Sequence, residues 1–402
     1  MPKKKRQPKK DFTAVGVVAA SLMVVVTVFL GWKAANMINP PMGDINDTTT
    51  GSDIRRAFLV YRSHEVVDRG SEAGPNDDTV VYDFFRYPLD GSASVGESLA
   101  KEVRDGNTSS AGAPWMSKVS DRVLLFVRRA DDYHDVIWTD VSGNELKSAA
   151  DSPGFVWGGL PTNDGSKVAY PDSESPDRII VEDNGSRAHY TVPVSEGVRS
   201  VPLAWSSEAT TLFVRTEPVV EDEGGELIEG LWRIDVSSRS TEEVKAVSEL
   251  GLKQLDIDSA SGRLVGVTYR CESLDFCGTA PSALYMVDTL SGESIEIMSS
   301  ESYVYGQPKF SPDGTRIAFT IINGASDVWV ADADISGHER RVVSGSVLDW
   351  TPDGNTLVVD RDNELQLVSV SDGTARSVTR RSGKYPDPDF HGVDYVGIIL
   401  KR

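Results

Sequence analysis

Two cysteines are the first residues whose spacing implies a bond. Cys271 and Cys277 form a Cys-x5-Cys pair, and the chain holds no other cysteine. In an oxidising compartment they would close a short loop as one disulfide; kept reduced, they are two thiols. A zinc site needs more ligands, and none of the five histidines (His64, His134, His189, His338, His391) is near them in sequence. Those histidines are scattered singly and no Gly-x-Ser-x-Gly elbow occurs, so nucleophilic hydrolysis has no constellation to rest on. Carboxylates are the remaining chemistry. Asp256-Ile257-Asp258, Asp332-Ala333-Asp334 and Asp387-Pro388-Asp389 place acids two apart. Calcium takes about 6–8 oxygens from a defined loop, so each pair reads as a solvated turn. Glycoside hydrolysis needs only two facing carboxylates, but the sequence singles out no pair. No catalytic residue, cofactor or metal is expected.

The acids are unevenly distributed. The 402 residues carry 41 Lys+Arg against 61 Asp+Glu, a net charge of -20. That balance argues against a nucleic-acid binder, which needs a basic surface. Yet Lys3, Lys4, Lys5, Arg6, Lys9 and Lys10 crowd the start, and Phe12 to Trp32 then run without a charge. About 20 apolar residues cross a hydrocarbon core. A cleaved secretory signal has a shorter stretch, of about 7–15 residues, and Lys33 fits poorly before a cleavage point at Ala35. The expected organisation is therefore a basic cytoplasmic tail over 1–11, a transmembrane signal-anchor helix over 12–32, a linker over 33–53 and an exported part over 54–402. Basic flanking residues stay cytoplasmic, which places the remainder outside a plasma (inner) membrane.

The exported part repeats. Phe310-Ser311-Pro312-Asp313-Gly314-Thr315-Arg316-Ile317 sets an apolar anchor, a polar turn and the start of a strand, and Trp350 to Leu357 and Pro161 to Val168 do so again. Looser copies begin at Met116, Trp205 and Ile257. Asp-Gly supplies the positive φ of a tight hairpin, and apolar strands flank it. A third-strand signature follows each copy: Val136 to Trp138, Ile179 to Val181, Leu231 to Ile234, Leu284 to Val287, Val328 to Val330 and Leu365 to Val368. Short strands in fours, recurring every 40–53 residues, are the unit of a β-propeller. The fold class is all-β: a seven-bladed β-propeller, with six or eight blades as alternatives. The extra blade would join Phe58 to Tyr61 (read as an inner strand) and Thr79 to Phe85 with a C-terminal strand over Val393 to Leu400, leaving no open edge. Tryptophans recurring by blade (Trp138, Trp232 and Trp329; Trp205 and Trp350) read as packing between blades.

The runs FSPDGTRIAF (310–319) and WTPDGNTLVV (350–359), with VWVADADISG (328–337) and LYMVDTLSG (284–292), resemble the WD40-like PD40 repeats of TolB-type propellers. The same repeat occurs in the propellers of prolyl oligopeptidases and dipeptidyl peptidases. The resemblance covers roughly 54–402, and its implication is a fold, since propellers host many activities. Neither the α/β domain of TolB nor the hydrolase domain of the peptidases fits this chain.

Function is then expected on loops. The connections between second and third strands open opposite the Asp-Gly turns, and those over 63–78, 215–230 and 270–282 are long. They carry Glu65, Asp68, Asp77 and Asp78, then Glu221, Asp222, Glu223 and Glu226, then Glu272 and Asp275 beside the cysteines. Long loops on one face of a rigid scaffold are a usual place for binding. The expected role is a scaffold that binds another envelope or membrane protein, without catalysis. The alternative is a carbohydrate-active, glycan-binding or small-ligand propeller that uses its central channel.

Overall fold

The computed structural model describes residues 56–68, 79–93, 96–105, 115–120, 122–130, 133–143, 145–148, 159–163, 166–172, 174–183, 186–219, 228, 230–269, 281–334, 338–362, 364–379 and 391–401. The chain divides into Met1–Thr48 and Thr49–Arg402, and every described residue belongs to the second unit. The expected cytoplasmic tail over 1–11, anchor over 12–32 and linker over 33–53 lie outside the described residues. Among the described residues, no helix is long and apolar enough to cross a membrane.

The described strands form seven four-stranded antiparallel sheets. Their inner strands, numbering the sheets along the chain, begin with Trp115–Ser120 for the second and Leu160–Pro161 for the third. Val198–Trp205, Lys253–Asp258, Val304–Phe310 and Ser346–Trp350 open the fourth to the seventh. In these six, strand order in space is strand order in the chain. The first sheet is composite: His391–Leu400 lies innermost, beside Ala57–Asp68, then Thr79–Pro88 and Glu97–Asp105. The segment from Phe58 to Tyr61, read from sequence as an inner strand, is thus a second strand, paired on one side with Thr79–Pro88 and on the other with the C-terminal strand. A repeat built from both ends of the chain has no preceding hairpin in sequence, so its innermost position shows only in the fold.

The sheets form a ring. His391–Leu400 touches Trp115–Ser120, that strand touches Leu160–Pro161, and the next contact is with Val198–Trp205. Farther round, Lys253–Asp258 touches Val304–Phe310, which touches Ser346–Trp350, which meets His391–Leu400 again. The step from fourth to fifth sheet is closed by Phe213 and Leu231 packing with Leu264 and Val287. This is a β-propeller.

Its cohesion follows from period-2 alternation in the second strands, which are covered on both faces. Leu212 and Val214 face the third sheet's core while Phe213 faces the fifth's. Ile317 and Phe319 pack toward the fifth sheet, and Ala318 toward the seventh. Leu59 joins the seventh sheet's Val358, Leu365 and Leu367, and Val60 joins the second sheet's Met116 and Leu124. The Asp-Gly hairpins of the sixth and seventh sheets form as the sequence suggests. Asp313 accepts from Ser311 Oγ at 2.6 Å and from the Thr315 amide at 3.1 Å, with Gly314 at φ 66°. Thr351, Asp353 and Asn355 repeat this arrangement in the seventh sheet.

Among the described residues, a short helix, Lys245–Leu250, joins the fourth sheet to the fifth and ends on Gly251 in the left-handed region. Its Ala246 and Val247 are buried among residues of both sheets. Six residues are too few to show helical periodicity in the sequence.

Candidate functional site

The inner strands nearest the ring axis carry a row of partly enclosed, paired charges. Several of these strands contain a bulge. The register with the second strand shifts between Lys253 and Leu255, between Gly306 and Lys309, and between Val347 and Asp349. A bulge twists the strand and re-aims the side chains beside it. Here the re-aimed residues are Asp256, Lys309 and Asp349, each one position before the repeat's apolar anchor (Ile257, Phe310, Trp350).

These residues lace successive sheets together. Lys309 Nζ lies 3.3 Å from Asp256 Oδ1, and the Phe310 amide donates to Asp256 Oδ2 at 2.9 Å. Trp350 Nε1 donates to the Lys309 carbonyl at 3.0 Å. Tyr395 Oη, from the C-terminal strand, donates to Asp349 Oδ2 at 2.7 Å, while Asp349 Oδ1 takes the Trp350 amide at 2.8 Å. The fifth, sixth, seventh and first sheets are thereby joined at one level. A second row runs beside it: the Gln307 amide donates to Gln254 Oε1, Thr320 Oγ1 to Gln307 Oε1, and the Val347 amide to Thr320 Oγ1. Gln254 and Gln307 hold φ of 45° and 51°, a left-handed conformation costing a non-glycine residue about 1–3 kcal/mol unless its surroundings impose it.

The electrostatics fit partial enclosure. Asp256 keeps 24% of its side chain exposed and Lys309 34%. Burial raises the Asp256 carboxyl above its usual range, with the Lys309 ammonium pulling the other way. The Asp256 charge raises Lys309 despite burial. Lys309 therefore stays charged at ordinary pH, and Asp256 is the member that loses its charge on acidification. Burial, then the Asp349 carboxylate, raises the Tyr395 hydroxyl well above its usual value. Asp256 and Asp258, candidates for a shared cation, have separate partners. Asp256 serves the next sheet, whereas Asp258 caps its own turn through the Ala260 amide and the Ser261 hydroxyl.

A third set of ties recurs six positions after the anchor. Lys167 Nζ donates to the Ala209 carbonyl at 2.9 Å, Arg263 Nη2 to Gly314 at 2.7 Å and Arg316 Nη2 to Gly354 at 2.6 Å. Each cation reaches the hairpin turn of the next sheet. Arg263 and Arg316 also lie over the rings of Phe310 and Trp350, at 5.6 and 5.1 Å. Trp205 Nε1 donates to the Leu160 carbonyl of the preceding sheet, so Trp205 and Trp350 both act between sheets, as their recurrence implies.

The loop residues singled out from sequence sit differently. Glu65 and Asp68 lie on the strand Ala57–Asp68, paired through the backbone with His391 and Val81, and with Thr79. Asp77, Asp78, Glu221, Asp222, Glu223, Glu226, Glu272, Asp275, Cys271 and Cys277 lie outside the described residues. Two expected loops begin later than the sequence suggests, because the strands run on to Asp68 and Pro218. Glu217 is held in its strand by Arg199 at 2.7 Å and Arg215 at 2.9 Å. The axis-facing row was overlooked in the sequence. Its signal was a charged residue just before the anchor in three successive repeats.

No known family profile matches the chain, and no curated protein does. Solved structures similar to it include TolB from Acinetobacter baumannii, 15% identical over 83% of this chain and 82% of that one, TM-score 0.39. Oligogalacturonate lyase from Vibrio parahaemolyticus is 12% identical over 83% and 88%, TM-score 0.49. A GH74 enzyme from Niastella koreensis is 11% identical over 78% and 55%, TM-score 0.48. They include enzymes, and at such identities they assign no activity. The propeller architecture rests on this chain's own sheets.

Proposed function

We propose that the chain is a seven-bladed propeller anchored through residues 12–32, displayed outside the cytoplasm, and used as a non-catalytic scaffold that binds another envelope protein. The observation that carries this reading is an asymmetry among the second-to-third-strand connections. Four of the seven span only 131–132, 173–174, 323–325 and 362–363; the other three span 69–78, 219–229 and 270–281. All fall at the same end of their sheets. The long ones hold Glu72, Asp77 and Asp78, then Glu221, Asp222, Glu223, Glu226 and Glu229, then Glu272 and Asp275, against Arg69 and Arg270. A rim so charged complements a basic partner surface and steers its approach. The axis-facing carboxylates support a non-catalytic role, because Asp256 and Asp349 each take two donors from their own or neighbouring inner strands.

The test is crosslinking in intact membranes, with mass spectrometry of what is captured. The comparison variant carries Glu221→Gln, Asp222→Asn, Glu223→Gln and Glu226→Gln. The expected result is a captured envelope protein whose yield drops several-fold in the variant at unchanged thermal stability. Equal capture by both proteins overturns the rim as the binding face. Thiol labelling without reductant checks the compartment: Cys271 and Cys277 should be blocked as a disulfide, and ready modification counts against export.

A further inference from the structure

The outer edges of the sheets differ in how they are protected. An edge strand presents unpaired amide and carbonyl groups, and proteins blunt such edges with lysine, arginine or proline, or cover them. Five of the seven outer strands carry a basic residue: Lys101 and Arg104, Lys147, Arg187, Arg340 and Arg341, and Arg376. Ser240–Glu243 has none, but it is four residues long and leads directly into the helix Lys245–Leu250. Ser294–Ser300 in the fifth sheet is the exception, with seven residues (SIEIMSS) and neither a basic residue nor a proline.

Its surroundings favour docking. The strand pairs only with Ser282–Asp288 among the described strands. A bulge at Ile297 sets that side chain, with Met298, against the core shared with the sixth sheet, and leaves Ser294–Glu296 as a straight run. Ile295 is 39% exposed, and Leu290 in the adjoining turn 71%. These are two of the three large apolar side chains most exposed among the described residues. From Thr289 to Tyr303 there is no Lys or Arg, while Glu293, Glu296 and Glu301 are exposed.

We infer that Ser294–Ser300 is a β-augmentation site, taking an extended segment of a partner protein in which apolar and basic residues alternate. Main-chain hydrogen bonds to the free edge supply affinity. Ile295 and Leu290 receive the apolar side chains, and the three glutamates receive the basic ones. A second copy of this chain is disfavoured, because edge-to-edge pairing would bring Glu293, Glu296 and Glu301 of both copies together. The inference does not use the acidic rim and stands or falls independently of it.

The experiment uses the full chain in detergent and a fluorescein-labelled nine-residue peptide of alternating valine and lysine. Two further peptides serve as comparisons, one with two valines replaced by proline and one with glutamate for lysine. Fluorescence anisotropy should show the first binding about tenfold more tightly than either. Hydrogen exchange should slow at amides within 294–300. Ile295→Lys, which installs the missing basic residue on an exposed position, should abolish both effects with the thermal midpoint unchanged. If that variant unfolds, Ser294→Lys gives the same reading. Equal binding of the proline peptide shows charge attraction without strand addition and overturns the inference. So does protection elsewhere than 294–300, or full binding by the folded lysine variant.

Discussion

The run from fifth to seventh sheet and the junction where the ring closes solve one problem by different chemistry. Along the continuous run, each sheet reaches the next by a device in the repeat itself, with Arg263 on Gly314 and Arg316 on Gly354. In the seventh sheet the matching position is Thr356, too short to span. There the junction uses Tyr395 on Asp349, Arg376 over the Tyr87 ring at 5.4 Å, and a core of Leu59, Tyr61, Tyr87, Leu365, Leu367 and Ile398. A propeller has no free end if its last sheet shares strands from both termini. The local clamp can be repeated, whereas the closure must be unique, because it joins residues over three hundred positions apart, such as Leu59 and Ile398.

The strongest way to break this comparison is to remove the closing strand. A chain ending before His391 loses the inner strand of the first sheet and uncovers the backbone edge of Ala57–Asp68 along with its apolar residues. It should lose cooperative unfolding, read by circular dichroism melting, whereas deleting Ala375–Ser377, an outer strand, should leave a cooperative if lowered transition. Equal behaviour of the two truncations would show that the closure has no special role.

Point substitutions sharpen the contrast. Lys309→Met leaves Asp256 enclosed without its cation. Losing one partner of a fully buried pair costs about 3–5 kcal/mol, and the remaining exposure of Asp256 brings the expectation down to about 2 kcal/mol. Tyr395→Phe removes one of two donors to Asp349, a loss of about 1–2 kcal/mol. Arg316→Met, in the continuous run, should cost about 1 kcal/mol, since only its hydrogen bond and ring contact go. Urea midpoints order the three. If Arg316→Met proved the most damaging, the clamps rather than the axis-facing row would hold the ring.

How much of this was legible depended on whether the chemistry was local. The Asp313-Gly314 and Asp353-Gly354 turns, the anchors and the third strands recur at short range, so the repeated sheets could be read directly. The composite first sheet was anticipated, but its strand order was not: Phe58 to Tyr61 took a second place rather than an inner one, because innermost and second strands are both apolar. Helix Lys245–Leu250 left no periodic mark. The row of Asp256, Lys309 and Asp349 was visible as charges before an anchor, yet nothing in the sequence says that a bulge turns them toward the axis and each other. Arg199 and Arg215 flanking Glu217 likewise carried a strand into what looked like an acidic loop.

Acid titration separates the turns from the axis-facing row by sign. Asp235, at the turn after Gly230–Asp235, is held down to about 2 by the Ser237 hydroxyl and the Ser238 amide. A carboxyl whose folded pKa is depressed contributes stability above its unfolded value, here 3.8, and that contribution disappears as pH falls from there through about 2. Asp256 is raised, so its folded form binds the proton first and it favours folding progressively as pH falls toward the unfolded value. Asp235→Asn should therefore flatten the acid limb of a stability-against-pH curve, and Asp256→Asn should steepen it. Shifts of the same sign in both variants would show that the two carboxyls do not differ in environment.

The smallest effect tests the turns alone. In the sixth and seventh sheets, Gly314 and Gly354 take the left-handed position of the hairpin. In the fourth sheet Ala209 occupies it at φ 55° while its carbonyl receives Lys167. Glycine relieves the Cβ clash of that conformation without disturbing the carbonyl, at some entropic cost in the unfolded chain. Ala209→Gly should therefore raise stability, by about 0.5–1 kcal/mol. A fall instead would mean that the Ala209 methyl, packed at the edge of the core between third and fourth sheets, outweighs the strain. That outcome would make the looser copy of the repeat an adapted turn rather than a weakened one.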